Sequence, residues 1–125
     1  MISVTKIWTF DSAHRLPNYR GKCANLHGHT YKLEVTVVGP MQANGMVLDF
    51  SLLSRFVKDE IVEKLDHAYL NDIFENPTAE MMVCWIRDVL KSNWSIEALP
   101  GTLSRVRLWE TPTSYATWEA YNVSS

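Results

Sequence analysis

Apolar and polar positions alternate along several stretches of this chain and recur at helical spacing along two others. In "SVTKIWTFDSAHR" the residues Val4, Lys6, Trp8 and Phe10 interleave with Thr5, Ile7 and Thr9, a period of two that predicts a strand. "HTYKLEVTVVG" alternates more cleanly, with Tyr31, Leu33, Val35 and Val37 on one face and Lys32, Glu34 and Thr36 on the other. Asn44-Gly45 is a hairpin signal, and "MVLDF" is expected as its short return strand. Asp49 or Ser51 can cap the next element, since both types satisfy free N–H groups at a helix start. Leu53, Phe56, Val57, Glu60/Ile61 and Lys64/Leu65 in "SLLSRFVKDEIVEKL" then approximate a helical stripe. "NPTAEMMVCWIRDVLKSN" predicts a second helix, with Pro77 in its first turn and Glu80 near its positive end. Pro100-Gly101 breaks the chain, and "LSRVRLWE" and "SYATWEAYNV" read as closing strands.

The order β-β-α-α-β-β predicts an α+β fold: a four-stranded antiparallel sheet with two helices on one face. The sheet edges of such a fold stay open, and pairing between copies is one way to close them. The chain has 125 residues, which predicts a single domain over 1–125. Hydrophobic residues make up 46%, enough for a core at this size. The net charge is −2 with no cluster of Lys and Arg, which argues against a nucleic-acid partner. No apolar run reaches membrane-spanning length, and "MISVTKIWTF" lacks a signal-peptide pattern. A cytoplasmic location is therefore expected, with Cys23 and Cys84 reduced rather than joined. Cys84, in the apolar "EMMVCWIRDVL", is expected to pack in the core.

Chemistry concentrates in "KCANLHGHTYKLEV". His27 and His29 are two apart, so on a strand they share a face about 7 Å apart and can reach one ion. Gly28 between them permits close backbone approach or an unusual dihedral. His14 ends the first predicted strand and could supply a third imidazole, a set that suits Zn²⁺. Cys23 fits two roles: a fourth ligand closing a structural site, or a thiolate beside the metal that moves protons. Asp66 and His67 are adjacent at the end of the first helix. The carboxylate could orient an imidazole for proton transfer, or His67 could be an exposed helix terminus. Glu110 ends a strand, where it is either solvated or able to bind a guanidine-like edge through two parallel hydrogen bonds.

These pieces together resemble the 6-pyruvoyl-tetrahydropterin synthase family, in its bacterial 6-carboxytetrahydropterin synthase branch. The resemblance rests on "FDSAHRLP", "KCANLHGHTYKLEV", "GMVLDF", "LDHAYLND", "NPTAE" and "RLWET", which run in family order over almost the whole chain. It implies the tunnelling T-fold, assembled into an oligomeric barrel as a trimer or hexamer. It implies that His14, His27 and His29 bind zinc, that Cys23 is catalytic rather than a ligand, and that Asp66 and His67 complete the proton-transfer machinery. Glu110 would anchor the pterin ring. Thr78 and Glu80 would contact it across a subunit interface, although Ala79 replaces a polar residue of some relatives. The Cys-x₃-His-Gly-His interval is short, which resembles the carboxy branch. That branch converts 7,8-dihydroneopterin triphosphate to 6-carboxy-5,6,7,8-tetrahydropterin, acetaldehyde and triphosphate on the way to 7-deazaguanines and queuosine. Arg15, Arg20 and Lys22 are candidates to hold the triphosphate. The competing expectations are a pyruvoyl synthase on the same scaffold and a non-catalytic structural-zinc module.

Overall fold

The computed structural model describes residues 1–16 and 26–121. Cys23, Arg20 and Lys22 lie outside the described residues. The sheet is built on a long ribbon. Strand β1 (Ile2–His14) pairs antiparallel with β2 (His27–Gly39) from Ile2↔Gly39 at one end to His14↔His27 at the other. Strand β4 (Thr102–Thr111) pairs with the far side of β2, and β5 (Ser114–Glu119) with β4. The short β3 (Ala68–Tyr69) runs parallel to β1, giving the order β3-β1-β2-β4-β5. The expected four antiparallel strands are present, but β3 makes the sheet five-stranded and mixed.

The apolar face read from β2 is buried: Tyr31, Leu33, Val35 and Val37 are fully buried. Of Lys32, Glu34 and Thr36 on the other face, only Lys32 stays partly accessible; Glu34, which accepts from Trp109 and Arg105, and Thr36 are buried too. A bulge between Thr36 and Val37 shifts the pairing with β4, so that Leu103 faces the core along with Val106 and Leu108. Helix α1 (Phe50–Val57) begins where Asp49 accepts a hydrogen bond from the Ser51 amide at 2.8 Å. It continues through a π-helical turn, Lys58–Val62, into the short α2 (Glu63–Leu65). The wider turn keeps Leu53, Phe56, Val57, Ile61 and Leu65 on the buried side. Helix α3 (Ala79–Trp94) buries Ala79, Met82, Val83, Ile86 and Leu90, the stripe expected of one helical face.

Three local expectations are corrected. Cys84 is exposed, because it falls outside the stripe set by Met82, Val83 and Ile86. Pro77 precedes the N-cap of α3 rather than entering its first turn; Thr78 is the cap, accepting from the Met81 amide at 3.2 Å. "MVLDF" forms no strand. Gly45 does turn the chain, at φ 84°, but the Gln42 amide and the Met46 carbonyl close a tight loop at 2.9 Å. Val47 and Leu48 then turn into the core rather than pairing.

Candidate metal and acid–base site

The register His14↔His27 and Ser12↔His29 brings three imidazoles together at one end of the β1–β2 ribbon. Their ring centroids are 4.6–5.0 Å apart. Glu110, at the end of β4, completes the group. One donor atom each from His14, His27, His29 and Glu110 lies within 4.8 Å of the others. Glu110 Oε1 is 3.4 Å from His29 Nε2 and 3.8 Å from His14 Nε2. The carboxylate is therefore half-buried against the histidines, not a solvated strand end.

The donor set fits a divalent cation. His14 Nε2 and His29 Nε2 are buried and make no hydrogen bond, an expensive condition for a polar atom unless something fills the space between them. Burial and the neighbouring imidazoles lower the pKa of His14 to about 4. Burial, above all, lowers that of His29, against the opposing pull of Glu110. Both rings are thus neutral at pH 7, as metal ligation requires. His14 is further held by Tyr31, whose hydroxyl lies 2.7 Å from Nδ1. Burial raises the phenol pKa, so Tyr31 keeps its proton. With the hydrogen on Nδ1 and the phenol oxygen accepting it, Nε2 presents a lone pair to the cluster. The strand pattern marks Tyr31 only as a core residue; its place two past His29 on the same face is the signal of a second role.

Gly28 does not have the special role expected of it. Its φ is not positive, and a Cβ there would meet the Ser12 carbonyl at an ordinary 3.6 Å. What it does is line two neighbouring clefts together with His29 and Thr30. One cleft, of about 620 Å³, extends to Asp11, His67 and Tyr69. The other, of about 400 Å³, extends to Lys32, Trp109, Glu110 and Pro112. His29 thus faces both the Asp66–His67 region and the Glu110 region.

His67 comes after α2 with a left-handed backbone, φ 56°. Its ring is 80% exposed, and Nδ1 lies 3.1 Å from Asp66 Oδ2. The bend after α2 is what lets sequence neighbours meet side by side. Asp66 Oδ1 accepts the Asp11 amide at 3.0 Å, and this bond, foremost, holds the carboxyl below its ordinary pKa. Thr78 and Glu80, at the start of α3, line neither cleft among the described residues. Arg15 is held at its backbone by Asn71 and lines a separate cleft with Tyr69 and Met81.

Comparison with known proteins agrees with this geometry. The family model described as 6-pyruvoyl tetrahydropterin synthase matches residues 3–120. The chain belongs to that family. The 6-carboxy-5,6,7,8-tetrahydropterin synthase of Haemophilus influenzae is 36% identical, over 95% of this chain and 99% of its own length. The dihydroneopterin monophosphate aldolase of Pyrococcus furiosus is 41% identical over 82% of this chain and 83% of its own. The structure of Caenorhabditis elegans 6-pyruvoyl tetrahydropterin synthase superposes with a TM-score of 0.82 at 26% identity, covering 95% of each chain. The fold is accordingly the T-fold of these synthases. No helix among the described residues is long and apolar enough to cross a membrane.

Proposed function

We propose that this chain is a zinc-dependent 6-carboxy-5,6,7,8-tetrahydropterin synthase, a lyase that converts 7,8-dihydroneopterin triphosphate to 6-carboxytetrahydropterin, acetaldehyde and triphosphate. In this reading it acts in the cytoplasm as a homo-oligomer, in the synthesis of 7-deazaguanines such as queuosine. The observation that carries it is the pair of buried, unbonded Nε2 atoms of His14 and His29, in a cluster whose His29 lines one cleft together with His67.

His14, His27 and His29 would hold the zinc. The bound ion would supply Lewis acidity toward the hydroxyls of the pterin side chain. Glu110 would take the N–H edge of the ring; it lines the Trp109 cleft and so can serve a ligand seated there. His67, with Nδ1 turned to Asp66, keeps Nε2 for exchanging a proton with the side chain. Cys23 would act as the thiolate on the other side of that chain. Thr78 and Glu80 would complete the site of a neighbouring copy.

The test is product analysis. The zinc-loaded protein is incubated with 7,8-dihydroneopterin triphosphate and no reductase. Equal amounts of 6-carboxytetrahydropterin and acetaldehyde support the proposal. A pyruvoyl pterin without acetaldehyde would make the chain a pyruvoyl synthase. A second reading comes from the identity to the Pyrococcus furiosus aldolase: a hydroxymethyl pterin formed from the monophosphate would favour it. A structural-zinc module would turn over neither substrate and would unfold when chelated.

A further inference from the structure

We propose that Asp11 and Thr30 are positioning residues for the Asp66–His67 pair, locking it to the strand that carries His27 and His29. The inference deepens the lyase reading and rests on it for its kinetic readout.

The acid–histidine pair is poorly placed to hold itself. The His67 ring is largely solvent-exposed, and its backbone is left-handed, a conformation unfavourable for a residue with a Cβ. Asp11 and Ser12 on β1 tie this turn to the sheet. The His67 amide donates to the Asp11 carbonyl at 2.6 Å. The Asp11 amide donates to Asp66 Oδ1 at 3.0 Å, which leaves Oδ2 for the imidazole. The Ser12 hydroxyl donates to the Leu65 carbonyl, and Ser12 pairs with Ala68 in the β1–β3 bridge.

The Asp11 side chain is not needed for those backbone bonds, yet it is fixed. Its Oδ1 accepts the Thr30 hydroxyl at 2.5 Å across the ribbon, at the register pair Asp11↔Thr30. A carboxylate oxygen of Asp11 lies within 4.8 Å of one from Asp66 and a ring nitrogen of His67. Thr30 directly follows His29, and Asp11, Thr30, His29 and His67 line one cleft. Backbone pairing sets the distance between the two strands and the turn; the Thr30–Asp11 bond fixes where the Asp11 carboxylate sits beside the proton-transfer pair. Loss of the hydroxyl frees the Asp11 side chain to crowd or pull the exposed imidazole out of line, and misplacement by about 1 Å can cost 10²-fold in rate.

Thr30→Val keeps the branched strand residue and removes only the hydroxyl; Thr30→Ser restores it. The expected result is a kcat about tenfold lower in Thr30→Val, KM within about twofold, zinc content unchanged and recovery in Thr30→Ser. Imidazole nitrogen NMR reads the geometry without substrate. His67 should carry its hydrogen on Nδ1 in the parent and in Thr30→Ser, and show mixed tautomers in Thr30→Val. Parent-like kcat and parent-like His67 resonances in Thr30→Val would overturn the proposal. If the parent protein does not turn over the pterin, the lyase reading fails, and the NMR comparison alone decides the positioning role.

Discussion

Acidifying the metal-free protein exposes the cost of keeping His14 neutral inside the fold. In the unfolded chain this imidazole takes a proton near its ordinary 6.5; in the fold it does so only at about 4. Between those values the unfolded state binds more protons, so stability falls as the pH falls through the window and levels off below it. At about 1.4 kcal/mol for each pH unit, that gap amounts to a loss of about 3 kcal/mol. This is a large part of the roughly 5–15 kcal/mol typical of a domain. The assay is urea unfolding of chelator-treated protein from pH 7 to pH 4, at one protomer concentration, for the parent and for His14→Gln. Glutamine is polar but does not titrate. The parent should lose about 3 kcal/mol more than the variant over the window. Parallel curves would refute the assignment of the buried, neutral imidazole.

Two neighbouring features give further expected outcomes. Tyr31→Phe removes the partner of His14 Nδ1; zinc affinity, read by competition with a chelating dye, should fall about 10–100-fold, and an unchanged affinity would deny Tyr31 its orienting role. Gly101→Ala places a Cβ 2.7 Å from Val37 Cγ1 at a φ of 78°; it should cost about 2–4 kcal/mol by urea midpoint, and a shift under 1 kcal/mol would show that the Pro100-Gly101 turn relaxes freely.

The parts of the fold that are readable from sequence are those where burial is one-sided over many residues. α3 carries a clean period because one face meets the core, and β2 keeps its apolar face from Tyr31 to Val37, although Glu34 and Thr36 opposite are buried as well. The Asn44-Gly45 turn is also readable, but the path of Val47 and Leu48 is not: a turn signal says that the chain reverses, not whether the next residues pair or insert. The two-residue β3 leaves no pattern at all. The π turn is equally silent, since Ile61 and Leu65 satisfy an ordinary helical spacing as well. In the site, His27 and His29 are legible from strand geometry alone. Glu110 is not, because its place among the histidines depends on the register of β4 against β2. Asp11 is hidden for a related reason: its partners Thr30 and Asp66 are brought to it by pairing across β1.

The length of the β1–β2 ribbon separates two kinds of tolerance. Thirteen residues at about 3.4 Å each put Ile2 and Gly39 about 40 Å from His14 and His27. At the far end, Gly39 and Gly101 pack around Val37, Val38 and Val47 with no titratable group among them. Substitutions that far apart, sharing no partners, add independently. The molecule thus offers an engineering handle: thermostability can be raised or lowered around Gly39 and Gly101, or a tag hung beside Ile2, without retuning the imidazole cluster.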